Sequence, residues 1–205
     1  MKTEIDAKTV KKLREETGAG MMNCKKALEE NNGDYAKAIE SLRLKGMATA
    51  DKKASRNTKE GLIYSYIHTG NKLGILLEIN CETDFVARRE EFSDLAKNIA
   101  MQIASNPEIT VVSIDDISET TKEKVRIFES AKEDLQNKPE EIRNKIVDGR
   151  VDKSLKKQVL LEQEYIRDQN ITVNAYIKQV IGLLGENIRV ARFTRYTLGE
   201  TTKEE

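Results

Sequence analysis

The 205-residue sequence has no tryptophan, one histidine, two cysteines and two prolines, and its 35 Lys+Arg cancel its 35 Asp+Glu. Each shortage excludes something. Cys24 and Cys81 lie far apart and His68 is the lone imidazole, so one copy of the chain supplies neither a disulfide framework nor a zinc cluster. Both cysteines read as small packing residues, because free cysteine is usually buried. Zero net charge leaves no long-range field to attract a phosphate backbone, and 5% aromatic residues leave little on which bases could stack. No direct nucleic-acid contact is expected. No apolar run is long enough for a membrane span, and the start Met1-Lys2-Thr3-Glu4-Ile5-Asp6 lacks the apolar stretch of a signal peptide. The expectation is a soluble, intracellular protein without membrane contact that is made, in the absence of a visible transit peptide, in the compartment where it works.

What is present is charge, 34% of all residues, laid over helical periodicity. From Ile5 to Gly46 three short helical patterns follow one another, punctuated by Gly18-Ala19-Gly20, Asn32-Gly33 and Gly46. Asp6, Asn23 and Asp34 are candidate caps. Val10 and Leu13, then Ala27 and Leu28, then Ala38, Ile39 and Leu42, make the inward stripes. This predicts a three-helix domain over residues 1–49. Residues 50–59 hold Asp51, Lys52, Lys53, Arg56 and Lys59 with little that is apolar, which predicts an exposed basic linker at a domain boundary.

Residues 60–200 predict an α+β core. Gly61–Thr69 and Leu73–Asn80, joined through Gly70-Asn71, read as an antiparallel hairpin. A helix capped by Ser93 runs to about Ser105 with Leu95, Ile99 and Ile103 on one face, and Asn106-Pro107 ends it. Helical stretches at Thr120–Gln136, at Pro139–Val147 ending near Gly149, and at Asp152–Gln169 form a projecting helical arm over about 120–169. Another helix, Thr172–Leu184, precedes a late strand, Ile188–Leu198, which completes a small antiparallel three-stranded sheet packed by helices. Residues 201–205 read as a frayed tail.

Enzymatic chemistry has little to stand on. No G-x-x-x-x-G-K-[ST] loop and no dinucleotide fingerprint occurs. His68 sits mid-strand beside the hairpin turn with no nucleophile signature nearby, and the many carboxylates offer no acid–base pair that stands out. A non-enzymatic role without cofactor or metal is expected.

Two stretches are more specific. Leu13-Arg14-Glu15-Glu16-Thr17-Gly18-Ala19-Gly20-Met21-Met22-Asn23-Cys24-Lys25-Lys26-Ala27-Leu28 closely resembles the first signature of the elongation factor Ts family. Glu78-Ile79-Asn80-Cys81-Glu82-Thr83-Asp84-Phe85-Val86-Ala87-Arg88 resembles its second, in the family's order and spacing. Pro139–Gly149 is similar to the helical segment before the family's carboxy-terminal module, so the resemblance covers most of the chain. It implies a UBA-like amino-terminal domain, a core dimerisation domain, and a guanine nucleotide exchange factor without covalent chemistry. Such a factor binds GDP-bound elongation factor Tu, perturbs its magnesium and phosphate site, and promotes GDP release so that GTP can bind.

On this resemblance Thr83, Asp84, Phe85 and Val86 form a wedge beside the partner's magnesium, while Arg14, Met21 and Met22 dock the amino-terminal domain onto a helix of the GTPase. Spacing alone reads differently: Thr83 or Asp84 caps a helix, Phe85 fills the core, and one methionine packs inward. Long members carry two related core subdomains in tandem. This sequence passes from the helix after Phe92 into the late part of the pattern, as in short members, which look like homodimers. The implied compartment is the bacterial cytoplasm, or the plastid stroma if an organelle encodes the chain. A UBA-like interaction adaptor without exchange activity is the alternative, because the loop Gly18–Met22 suits that role as well.

Overall fold

A computed structural model describes residues 5–135 and 138–200. In chain order the elements are α1 (Ala7–Thr17), α2 (Met21–Glu30), α3 (Tyr35–Lys53), β1 (Glu60–Ile67), β2 (Leu73–Cys81), α4 (Asp84–Ala87), α5 (Glu90–Ser105), α6 (Glu119–Ser130), α7 (Glu140–Lys156), β3 (Glu164–Tyr165), β4 (Asp168–Thr172), α8 (Val173–Leu184) and β5 (Ile188–Thr197). An antiparallel sheet has the order β1-β2-β5, and β3-β4 is a separate antiparallel pair. The predicted α+β class and three-stranded sheet are therefore present. Two compact units share the chain: Met1–Leu62 with Ile79–Ala96 and Ala175–Arg189, and Ile63–Glu78 with Lys97–Asn174 and Val190–Glu205.

In the first unit α1, α2 and α3 bury Val10, Leu13, Cys24, Ala27, Leu28 and Ala38, with Ile39 and Leu42 packed at the edge. Asp6 accepts the Lys8 amide at 3.2 Å and Asp34 the Lys37 amide at 3.1 Å, so both predicted caps form. The third does not. Gly18 adopts φ 66° and donates to the Arg14 carbonyl at 2.7 Å, ending α1 so abruptly that α2 begins at Met21, with Gly20 at its cap position and no side-chain cap. Asn23 falls inside the first turn instead. The third helix also departs from expectation, running through Gly46 to Lys53 and drawing Asp51, Lys52 and Lys53 out of the predicted linker. Gly46 serves close approach rather than termination, since a Cβ built on Gly182 of α8 would lie 2.7 Å from the Gly46 Cα.

The second unit shows where charge patterning misleads. α7 passes unbroken through Gly149 to Lys156, and the remainder of the predicted helix Asp152–Gln169 is a short turn at Leu160–Glu162 followed by β3 and the start of β4. The reason is tertiary. The buried Gln102 donates to the Glu164 carbonyl at 3.1 Å and accepts the Ile166 amide at 2.8 Å, giving the small hairpin polar partners that no local pattern announces. α5 begins at Glu90, ahead of the expected cap Ser93, and keeps Leu95, Ile99 and Ile103 buried. Arg195 of β5 donates to the carbonyls of Ile103, Ala104 and Asn106, where α5 runs out of amide partners. Thr172 belongs to β4 rather than to α8. Gln136, the expected end of one arm helix, and the tail 201–205 lie outside the described residues.

The hairpin turn forms as its residues require, with Gly70 at φ 92° and Asn71 at φ 55°. His68 stands just past β1, exposed, its Nδ1 2.9 Å from the Tyr66 hydroxyl. The two helical glycines Gly149 and Gly182 make a paired test. Gly149 has nothing within 4 Å of an added Cβ, so Gly149→Ala should raise unfolding free energy by about 0.5–1 kcal/mol through helix propensity. Gly182→Ala should lower it by about 1–3 kcal/mol, because backbone must move to admit the methyl group. Urea titrations of the two variants check this, and equal shifts of the same sign would remove the close-approach account of Gly46 and Gly182.

Candidate functional site

β2 alternates inward Ile75, Leu77, Ile79 and Cys81, all buried, up to the point where the sheet ladder stops. Glu82 and Thr83 then turn the chain into the single-turn helix α4. Thr83 holds extended backbone angles (φ −131°, ψ 156°) and its hydroxyl accepts the Val86 amide at 3.5 Å, so it is an N-cap, as spacing alone suggested. Val86 takes the inward position. Phe85 does not fill the core: it is 83% exposed, and that part of the spacing reading is overturned. One helical turn offers one inward direction, and Val86 occupies it. Asp84 is paired with Arg88 at 2.9 Å across the turn.

The base of the turn is fastened from far away in sequence. Glu186 accepts the Glu82 amide at 3.1 Å and the Thr83 amide at 3.0 Å through Oε2, and the Thr83 hydroxyl at 2.6 Å through Oε1. In return Glu82 accepts the Asn187 amide at 2.6 Å. Asn187, itself buried, donates its side-chain amide to the carbonyls of Ala54 (3.3 Å) and Arg56 (2.8 Å), and the Arg56 guanidinium lies 3.4 Å from Glu82. Gly185 at φ 80° ends α8 and brings Glu186 and Asn187 to this point. Sequence reasoning missed Glu82, Glu186 and Asn187. The available signal was two polar residues set between a glycine and the apolar start of β5.

Arg14 is exposed in the last turn of α1, and Met21 and Met22 are exposed in the first turn of α2, Met22 to 75%. They sit on different elements from the turn at Thr83–Val86, within the same compact unit. The predicted basic linker is put to internal use: Lys53 donates to the Gly185 carbonyl, Arg56 meets Glu82, and Asp51 pairs with Lys178 at 2.6 Å. Among the described residues no group of three or more His, Cys, Asp or Glu could hold a metal ion, and no helix is long and apolar enough to cross a membrane. The arrangement offers shape and contact: an aromatic side chain held out on a braced turn, and a pair of exposed methionines on a small bundle.

Comparison with known proteins gives these features a family. A family model described as Elongation factor TS matches residues 2–200. The chloroplastic elongation factor Ts of Phaeodactylum tricornutum is 84% identical over 200 residues, covering 98% of this chain and 99% of that one. The chloroplastic protein of Rhodomonas salina is 58% identical over 200 residues (98% and 91% covered), and elongation factor Ts of Synechococcus elongatus 58% over 197 (96% and 89% covered).

The thiol behind the turn reports on its closure. Burial, and then the negative charge of Glu186, push Cys81 up to about 11, while its sulfur donates to the Thr83 carbonyl at 3.1 Å. The folded state thus holds the thiol proton more tightly than the unfolded chain does. The resulting contribution to stability is complete below the ordinary cysteine range and is lost as pH rises through about 11. At pH 8, iodoacetamide should label Cys81 no faster than the protein unfolds, as peptide mass spectrometry would reveal. Rapid labelling of the folded protein would contradict the buried, protonated thiol.

Proposed function

The chain belongs to the elongation factor Ts family and is a translation elongation factor, and on that footing we propose that it is the guanine nucleotide exchange factor for elongation factor Tu. The observation that carries this reading is Phe85, held 83% exposed on a turn whose cap and base are both hydrogen-bonded. A GTPase keeps GDP by cradling its phosphates with backbone amides and a magnesium ion, so a body forced between those loops lowers nucleotide affinity. A braced aromatic suits that task, having large contact area and little conformational freedom to lose on binding. Thr83 and Val86 hold the wedge, and Phe85 with Asp84 forms its face toward the magnesium and phosphates. The coupling is reciprocal: whatever factor the protein takes from GDP affinity, GDP takes from the affinity for the protein, and incoming GTP completes the cycle.

The UBA-like bundle of α1, α2 and α3 supplies docking. Arg14, Met21 and Met22 meet a helix of the GTPase, the exposed methionines providing an adaptable apolar contact. The chloroplastic and bacterial names of the relatives support the plastid stroma or the bacterial cytoplasm as the place of work.

A homodimer is part of this reading. Ile67 lies over Gly74, whose Cβ would come 3.1 Å from the Ile67 Cδ1, and Arg192 bridges to Glu78 at 2.7 Å. The strand period of two then places exposed Ile63, Ile67, Leu76 and Tyr196 on one sheet face. That apolar face suits a second copy of the chain, the occupant expected of a short family member.

Two measurements test the proposal. Stopped-flow release of a fluorescent GDP analogue from elongation factor Tu should accelerate strongly with this protein. The Asp84→Ala, Phe85→Ala double variant should lose roughly tenfold or more of the acceleration at unchanged thermal midpoint, as loss of an aromatic interface anchor does. Unaltered exchange kinetics would overturn the wedge. Light scattering at micromolar concentration should give twice the 23.3 kDa chain mass, and Leu76→Glu should halve it; a single-chain mass for the unaltered protein would sink the dimer.

A further inference from the structure

We infer that Glu186 is a positioning residue for the Phe85 turn, and that with Asn187 it ties the wedge to the backbone leaving the docking bundle. This rests on the exchange reading above. β2 ends at Cys81, so the amides of Glu82 and Thr83 lie beyond the sheet ladder, beside buried Cys81 and Val86, where an unmet donor is costly. One carboxylate meets both, and it also accepts a hydrogen bond from the Thr83 hydroxyl at 2.6 Å. That third bond sets direction. A hydroxyl has one proton, and spending it on Glu186 turns its lone pairs toward the Val86 amide, which fixes the cap of α4 and therefore where Asp84 and Phe85 point.

The same two-residue segment reaches the other binding element. Asn187 grips the carbonyls of Ala54 and Arg56, immediately after α3, and its backbone amide is held by Glu82. The exit of the bundle and the base of the wedge are thus cross-linked through Glu82, Glu186 and Asn187, all inside one compact unit. Glu186 and Asn187 act through the turn and the linker, and need touch neither nucleotide nor GTPase.

The experiment compares Glu186→Ala and Glu186→Gln, alone and combined with Phe85→Ala, in GDP release from elongation factor Tu. Glu186→Ala should lower the maximal rate at saturating protein about tenfold, as misplacement of an anchored group does. The half-saturating concentration should move less than about twofold, because Arg14, Met21 and Met22 remain in place. Glu186→Gln keeps the shape and one acceptor oxygen and should recover part of the rate. In the Phe85→Ala background, Glu186→Ala should cost clearly less than it does alone, since only Asp84 is left for it to position.

A second measurement needs no partner. The chain has no tryptophan, so Phe85→Trp places a single indole at the tip of the turn, excited selectively at wavelengths where the six tyrosines do not absorb. Its fluorescence anisotropy should fall when Glu186→Ala is added. Equal rate losses with and without Phe85, or unchanged anisotropy, would overturn the positioning role while leaving the exchange reading intact. If the unaltered protein fails to accelerate GDP release, the exchange reading falls and the functional half of this inference with it.

Discussion

The carboxylate of Glu186 against the backbone of Glu82 and Thr83 is the contact on which the candidate site depends. A buried strand cannot simply stop. Its last amides leave the ladder while still close to the core, and each would cost about 1–3 kcal/mol if left without a partner. A carboxylate serves better here than water or a neutral amide, because both oxygens accept and bonds to a charged acceptor are roughly twice as strong as neutral ones. The exchange is two-way, Glu186 bracing the turn after β2 and Glu82 bracing the turn before β5. Each turn therefore supplies hydrogen-bond partners to the other.

That mutual bracing explains how a large aromatic stays in water on an ordered segment. Isolated, four helical residues would not hold together, since nucleating a helix fixes several dihedrals for one hydrogen bond. α4 persists because its cap, the amides ahead of its cap, and its inward Val86 are all held by the surrounding unit. Burying Val86 leaves Phe85 outside, and the Asp84–Arg88 pair, exposed and worth little, only trims the surface of the turn. The entropy cost of presenting Phe85 is met on folding rather than on binding.

Much of this was legible from residues with local consequences. Asp6 and Asp34 cap helices because an Asp before an apolar stripe has a nearby amide to accept, and Leu95, Ile99 and Ile103 are buried because a four-residue recurrence makes one helical face. The errors share a different cause. Glycine usually punctuates helices, so Gly46 predicts a stop, and only the presence of Gly182 shows that it is a close approach. The β3–β4 hairpin hid in a charged helical pattern because Gln102 supplies its partners. Asn23 has the side chain of a cap, but the left-handed Gly18 shortens the connection and leaves it inside the first turn of α2. In the candidate site, motif resemblance found Thr83–Val86, whereas Glu186, 103 positions from Thr83, leaves no periodic trace and emerges only in three dimensions.

The proposed function places two opposing demands on this architecture. An exchange factor must bind well enough to prise a nucleotide loose, yet release its partner when the next nucleotide arrives, so its coupling belongs in the range of about 1–3 kcal/mol rather than in a large fixed interface. A single exposed aromatic and a pair of methionines are suitably small contacts. Their effect then depends on angle more than on area, because a loosely held wedge would settle into whatever contact the partner's closed loops allow and leave the nucleotide undisturbed. Rigidity must come from behind the wedge, from groups that never reach the interface. The crossed carboxylates of Glu82 and Glu186 occupy that position.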